Sequence, residues 1–425
     1  METQTANTGD RAILVIGGGV AGMTTALEAA EAGCDVVLVE KSPYLGGRVA
    51  RINQYFPKLC PPSCGLEINF QRLKKNGRIT VLTMAEVESL SGGPGAYEAT
   101  VKVAPRFVTD ACTLCGKCAE ACPVERPDDF NYGMSATKAA YLPHAMAFPA
   151  IYAIDRAACK EGCQACKDAC EYGAVDLSMK ESRVTVKAVA VVAATGWAPY
   201  DAGKIDTLGY GRCANVVTNV VMERLAAPGG PTQGKVLRPS DQKAPESIAF
   251  VQCAGSRDEN HLPYCSAVCC AASLKQATYV RSQYPDARIA IYYIDVRTPG
   301  RLEDFYQKTA DECRIEMVKG KVAKVEEDPA TKQILLTAED VMGGKKITDR
   351  VDMLVLATGI VPQTKGLPAG FAVDPFGFVA PVQGQAGFFG AGCVRRPEEV
   401  SATVQDATGA ALKAFQVVAR SAHHG

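Results

Sequence analysis

The stretch "AILVIGGGVAGMTTALEAAEAGCDVVLVEK", residues 12–41, decides the fold. Its first five residues, Ala12 to Ile16, are apolar and predict a buried strand; a glycine turn follows, then a helix from about Gly19 to Ala32, then a second strand from Val36 to Val39. Gly17, Gly19 and Gly22 fit G-x-G-x-x-G. In that pattern the first glycine permits the tight turn, the second lets the backbone approach a pyrophosphate, and the third lets helix pack on strand. Val20 and Ala21 open the helix, whose positive N-terminal end faces the phosphates. Glu40 closes the second strand, followed by Lys41, and supplies a carboxylate for ribose hydroxyls. A bare glycine turn would not need strand, glycines, helix, strand and acid in this order, so the reading is a dinucleotide site.

The rest of the chain is read outward from that unit. It has 425 residues, 47% of them hydrophobic, with 46 basic and 46 acidic side chains. This is enough for two or three domains with their own cores. Zero net charge and the lack of a long basic run argue against nucleic acid as a partner. The apolar run Val184–Ala194 is about half the ~20 residues a membrane helix needs, so no direct membrane insertion is expected. The opening "METQTANTGDR" shows no basic region followed by an apolar stretch, so no export signal is read and a cytoplasmic chain is expected. There its 18 cysteines are expected to be reduced and free to bind metal; in a secreted chain they would form disulfides.

Eight of those cysteines form two quartets. Cys112, Cys115, Cys118 and Cys122, followed by Pro123, match the bacterial ferredoxin run C-x2-C-x2-C-x3-C-P, in which the fourth cysteine reaches the other cluster. Cys159, Cys163, Cys166 and Cys170 repeat it with one residue inserted in the first gap. The expected arrangement is crossed: Cys112, Cys115, Cys118 and Cys170 on one [4Fe–4S] cluster, and Cys159, Cys163, Cys166 and Cys122 on the other. Four thiolates also suit zinc, which is the alternative.

Other segments resemble flavoproteins of the two-dinucleotide-binding-domain, thioredoxin-reductase-like family, an α/β fold. "EKSPYLGGR" sets Gly46, Gly47 and Arg48 where that family runs beside FAD. "VAVVAATGW" and "DMLVLATGI" each read as a strand ending in Ala-Thr-Gly, which brings Thr195, Gly196, Thr358 and Gly359 toward the cofactor by resemblance. "GFFGAGCVRRPEEVSATVQDATGAALKAF" resembles the segment closing over the flavin; Gly392 and Cys393 stand where an aspartate is usual. The expected organisation is a first FAD-binding segment at 1–105, an inserted ferredoxin-like two-cluster module at 106–182 and a second FAD-binding segment at 183–240. A second Rossmann-like domain at 241–350 and a closing FAD-binding segment at 351–425 complete it. The second domain lacks a glycine fingerprint. In its place Cys253, Cys265, Cys269 and Cys270 converge on a strand end and a helix start, either to hold a third cluster or as buried small hydrophobes. Cys60 and Cys64, on a Pro-rich loop, are read as structural, as facing the cofactor or as binding a further metal.

The combination of "PRFVTDACTLCGKC", "FNYGMSATKAAYLPHAMAFPAIYAID" and "FVQCAGSRD…YCSAVCC" resembles the A subunit of heterodisulfide reductase over nearly the whole chain. That resemblance implies a third [4Fe–4S] cluster at Cys253, Cys265, Cys269 and Cys270. The chain is shorter than the methanogen form and looks like the A subunit of the quinone-interacting membrane-bound oxidoreductase complex of sulfate reducers. By resemblance it would sit at the cytoplasmic membrane through partners, namely a second flavin/iron–sulfur subunit plus a membrane haem b subunit. It would exchange electrons between menaquinol and adenylylsulfate (APS) reductase. Bifurcating relatives are expected to carry a lysine where this chain has Glu398, which would set its flavin potentials apart from theirs unless pairing with Arg395 or Arg396 cancels the change. No catalytic side chain is assigned. The alternatives are a subunit of a soluble, electron-bifurcating complex like heterodisulfide reductase, an NAD(P)H-dependent flavin oxidoreductase, and a zinc-bearing assembly module.

Overall fold

The computed structural model describes residues 3–5, 12–381 and 387–423, and the chain divides into two compact units. The segment 6–11, within the stretch read as lacking an export signal, lies outside the described residues.

The first unit takes in residues 1–50, 63–197 and 362–425. Its eight-stranded sheet runs Ile79–Thr83, Val36–Glu40, Ala12–Ile16, Ser182–Ala193, Ala96–Val103 and Ala85–Gly93. Ala12–Ile16 and Val36–Glu40 pair in parallel, and both are almost wholly buried, as continuous apolar strands covered on both faces must be. The apolar run around Val184 is the centre of this sheet. Its strand reaches back to Ser182, pairing antiparallel with Ala96–Val103 in its first half and parallel with Ala12–Ile16 in its second. Phe388–Gly390 and Thr3–Thr5 each pair in parallel with the same strand and complete the eight. The fingerprint helix Val20–Glu31 and the C-terminal helix Val400–His423 cover one face, where Met23, Ala26, Leu27, Ala407, Ala411 and Ala414 form a small-residue core that lets the helices approach closely.

The cysteine-rich insertion belongs to this unit. It is built from two helical turns, Lys117–Glu120 and Ala165–Asp168, and short strand pairs such as Ala140–Tyr141 with Ala153–Ile154. Its core is small: Val108, Cys118, Cys122, Ile154, Cys166 and Val175 are its main buried apolar groups. So little apolar burial is usual where a cofactor supplies the missing contacts.

The second unit comprises 51–62 and 198–361. A five-stranded parallel sheet runs Val216–Thr218, Met353–Thr358, Ser247–Ala254, Arg288–Tyr293 and Glu316–Lys319, with helices Cys269–Gln283 and Leu302–Glu312 as crossovers. An antiparallel trio, Val322–Glu327, Ile334–Asp340 and Lys345–Val351, packs Val325, Leu336 and Val351 into the same core. Unit boundaries fall at Trp197 and Val361, inside the segments 183–240 and 351–425. The second Ala-Thr-Gly strand is therefore a central strand of this sheet. Among the described residues no helix is long and apolar enough to cross a membrane.

Candidate dinucleotide site and cysteine quartets

The three fingerprint glycines occupy three different environments. A Cβ on Gly17, whose φ is +110°, would lie 2.4 Å from the Ala194 carbonyl oxygen, and one on Gly22 would lie 1.7 Å from the Gly17 carbonyl oxygen. Both positions are closed by backbone. A Cβ on Gly19 would meet nothing within 4 Å, although it caps the helix at its N-terminus. The open side of the turn is thus a cradle at the helix's positive end, as a pyrophosphate requires. Glu40 accepts from the Gly18 N–H at 2.6 Å and the Ser42 N–H at 2.7 Å, so its carboxylate is held across the turn. Gly17, Glu40, Lys41, Ser42 and Thr195 line a cleft of about 680 Å3, a size suited to a cofactor fragment.

Gly46 and Gly47 close the loop from above. The Gly46 N–H donates to the Gly18 carbonyl at 2.8 Å, and a Cβ on Gly47 would come 3.0 Å from the Gly19 Cα. Thr195 donates to the Gln363 carbonyl, and the Gly196 carbonyl accepts from the Gln363 N–H. Arg48 donates to the Trp197 carbonyl and the Tyr132 hydroxyl and lies over the Trp197 ring. At the closing turn, a Cβ on Gly392 (φ +70°) would sit 2.9 Å from the Ala21 Cβ. The Cys393 thiol is turned inward, against the Glu398 carbonyl and the Thr403 hydroxyl. A carboxylate does reach this turn from sequence farther on: Asp406, on the C-terminal helix, accepts from the Gly392 N–H at 2.7 Å and pairs with Arg395. Glu398 is buried and paired with Arg396, the arginine that offsets its charge, while its Oε2 has no hydrogen-bond partner among the described residues.

In the insertion, the first three cysteines of one quartet meet the last cysteine of the other. A small cavity of about 20 Å3 is lined by Cys112, Cys115, Cys118 and Cys170, with Val108, Tyr152 and Tyr172 around them. Burial pushes the Cys118 thiol up to about 11, with Cys112 and Cys115 adding to the shift. In the other group burial raises Cys166, with the charge on Cys159 and Cys122 adding to the shift, and burial raises Cys159, opposed by Arg156 and reinforced by Cys122 and Cys163. Among the described residues no group of three or more His, Cys, Asp or Glu closes around a single metal ion. The insertion is packed onto the segment that closes the fingerprint. The Leu45 N–H donates to the Phe148 carbonyl, and the Tyr44 ring meets Phe130 and His144 edge-on at 5.7 and 4.9 Å. Phe70 stacks on Phe148 at 5.1 Å.

In the second unit Cys253 stands next to last in the strand Ser247–Ala254 with φ +57°, and Cys269 and Cys270 open the helix Cys269–Gln283. Cys269 is buried, and its thiol is pushed well up by burial and then by Cys253, Cys270 and Cys265. Burial likewise pushes Cys253 up to about 11. Backbone N–H groups point at two of the sulfurs, Ala267 at Cys265 and Arg297 at Cys270, both at 3.4 Å. Such bonds stabilise thiolate charge around a cluster. Thr358 and Gly359 lie here. The Thr358 hydroxyl donates to Asn219, its carbonyl faces the Cys269 sulfur, and a Cβ on Gly359 would strike the Ser256 hydroxyl at 2.2 Å. Cys60 and Cys64 are both exposed.

The family described as FAD dependent oxidoreductase matches residues 12–56, and the 4Fe-4S binding domain matches residues 105–125. The A subunit of the H(2):CoB-CoM heterodisulfide,ferredoxin reductase of Methanothermobacter thermautotrophicus is 36% identical over 97% of this chain and 65% of its own length. An iron-sulfur A subunit of the CoB--CoM heterodisulfide reductase of Methanopyrus kandleri is 37% identical over 99% of this chain and 66% of its own. The chain thus spans about 65% of the length of these relatives. Thioredoxin reductase from Lactococcus lactis matches in fold, with a TM-score of 0.54 at 14% identity over 96% of this chain and 99% of that one. Thioredoxin reductase from T. acidophilum gives 0.50 at 15% identity, covering 96% and 98%.

Proposed function

We infer that the chain belongs to the family of heterodisulfide reductase A subunits, FAD and iron–sulfur oxidoreductase components on a thioredoxin-reductase-like fold, and from that premise we propose the site assignments and the partners that follow. FAD supplies exchange of one or two electrons and [4Fe–4S] clusters exchange of single electrons, so the protein converts between the two. Gly17, Gly19, Val20, Ala21, Gly22 and Glu40 hold the dinucleotide. Lys41, Gly46, Gly47, Arg48, Thr195, Gly196, Gly392 and Cys393 border it, the last two through backbone at the closing turn. The crossed quartets of the insertion hold two clusters, and Cys253, Cys265, Cys269 and Cys270 hold a third, beside Thr358 and Gly359. No side chain is given an acid–base or nucleophilic role.

The observation that carries this reading is the packing of the insertion on Pro43–Leu45, directly after the acid that holds the fingerprint turn. The chain's own part is to fix both cofactors in one unit and to exclude water between them with Tyr44, Phe130 and Phe148. The test is photoreduction of the anaerobic, FAD-loaded chain followed by electron paramagnetic resonance. Flavin bleaching followed by cluster signals supports the reading, and a bleached flavin beside silent clusters refutes it.

For the partners, the proposal is a membrane-associated complex with a second flavin/iron–sulfur subunit plus a haem b subunit, linking menaquinone to APS reductase. The names of the relatives favour a second reading, a heterodisulfide-reductase-like complex that also uses ferredoxin. Reduction by menaquinol only in the presence of a membrane subunit selects the first; reduction coupled to ferredoxin selects the second.

A further inference from the structure

Arg106 lies where the insertion leaves the flavin sheet, and its guanidinium fork has acceptors on both sides. It donates to the Pro43 carbonyl at 2.6 Å and the Thr83 hydroxyl at 2.8 Å on the dinucleotide side, and to the Ile151 carbonyl at 3.1 Å on the insertion side. Pro43 follows Ser42, whose N–H is bound by Glu40. Ile151 precedes Tyr152, a wall of the cavity lined by Cys112, Cys115, Cys118 and Cys170. Val108, two residues beyond Arg106, is another wall. The acceptors are all neutral, and among the described residues no carboxylate pairs with this part-buried cation. Withdrawal from water lowers its affinity for the proton, while Tyr141 and Cys112 oppose that shift. Guanidinium stays charged in proteins, and a cation drawn out of water without a counter-charge is costly.

The geometry supplies a counter-charge. Four thiolates on a [4Fe–4S] cluster make a net anion, and reduction adds one electron without a proton. We propose that Arg106 is a positioning residue that fixes the cavity lined by Cys112, Cys115, Cys118 and Cys170 against the Ser42–Pro43 segment and, as a fixed cation, raises the reduction potential of the cluster those four cysteines hold. A lysine, as a point charge, keeps the sign but loses the fork. At an effective dielectric of ~20, one charge at ~10 Å changes the reduction constant roughly tenfold. The second cluster, whose thiols Arg106 does not face, is left unchanged.

This inference rests on the quartets holding clusters, so iron and sulfide per chain are measured first; a native chain without iron refutes the cluster reading itself. The full chain with Arg106→Gln or Arg106→Lys is then titrated with dithionite under resonance detection, the first cluster being identified as the signal lost in Cys115→Ser. Arg106→Gln is expected to lower that cluster's reduction constant about tenfold, ~59 mV for one electron, with the second signal unmoved and Arg106→Lys near native. An unmoved first signal at native iron content, or an equal shift of both signals, overturns the proposal. If Arg106→Gln fails to retain iron, Arg106→Lys decides: a native potential supports the proposal, and a tenfold shift overturns it.

Discussion

Substituting Gly19 separates cofactor binding from folding. The φ and ψ of Gly19, −72° and −174°, are extended values that alanine adopts freely, and a Cβ there meets nothing of the chain within 4 Å. Losing glycine at the N-cap costs a few tenths to ~1 kcal/mol, and the stiffer unfolded chain returns ~0.4–1 kcal/mol. The expected net change is under ~1 kcal/mol, or less than about 2 °C in melting temperature for a chain of this size. The added methyl points into the cradle, where a pyrophosphate needs close backbone approach. Crowding by one methyl costs ~1–3 kcal/mol, so Gly19→Ala should weaken FAD binding about 5- to 150-fold. Gly22→Ala is the opposite control, because its Cβ would fall 1.7 Å from the Gly17 carbonyl and force helix from strand. The assay is fluorescence titration of the FAD-free chain with FAD, beside thermal unfolding of that same chain. Binding within about twofold of native, or a melting loss as large as that of Gly22→Ala, would refute the reasoning.

Three further outcomes follow from the thiols. Cys122→Ser should remove the same resonance signal as Cys163→Ser, and a different one from Cys115→Ser; loss of the Cys115 signal instead would mean that each quartet is self-contained. Cys269→Ala should take iron from about twelve to about eight per chain without altering the flavin spectrum, whereas unchanged iron would return Cys253, Cys265, Cys269 and Cys270 to the status of buried thiols. The metal-free chain should lose stability as pH rises from 9 to 11. Cys118 and Cys253 sit at about 11 when folded against an ordinary 9.0, so the unfolded chain releases protons first in that window and the stabilisation present below it is lost. Two units would be worth ~2.7 kcal/mol per thiol. Partial solvent contact reduces this to about 1–2 kcal/mol, read from urea midpoints at the two pH values, and a midpoint that rises with pH would contradict it.

The fingerprint was legible because its chemistry is local: strand, turn and helix lie within thirty residues, and each glycine's role follows from its offset. The quartets were legible for the same reason. The closing turn was not. Its missing aspartate is answered by Asp406, fourteen positions beyond Gly392, a contact set by how the C-terminal helix packs rather than by any spacing near the turn. The second Ala-Thr-Gly strand carried the same letters as the first, yet pairing with Val216–Thr218 and Ser247–Ala254 draws it into the other sheet. Strand sequence alone does not encode which sheet accepts it. The segment 130–155 carried a resemblance but not its physical role, which is tertiary: its Phe130 and Phe148 side chains dock the insertion on Tyr44 and Phe70.

The site of the insertion explains how a small, weakly cored module is held in place. Its ends leave and enter neighbouring strands of an antiparallel pair, with Val103 opposite Ser182, so the module replaces the loop of a hairpin. Closing a loop of that length adds only ~0.6 kcal/mol for each doubling, and the sheet beneath keeps its register. Two pinned ends alone would leave the module free to swing. Arg106 on Pro43, Leu45 on Phe148 and Arg48 on Tyr132 add three contacts between the module and the segment behind the fingerprint turn. Cofactors held on both sides of those contacts keep one separation, which single-electron exchange between them requires. Removing the Arg106 fork therefore bears on placement as well as charge, and the lysine variant tells the two apart.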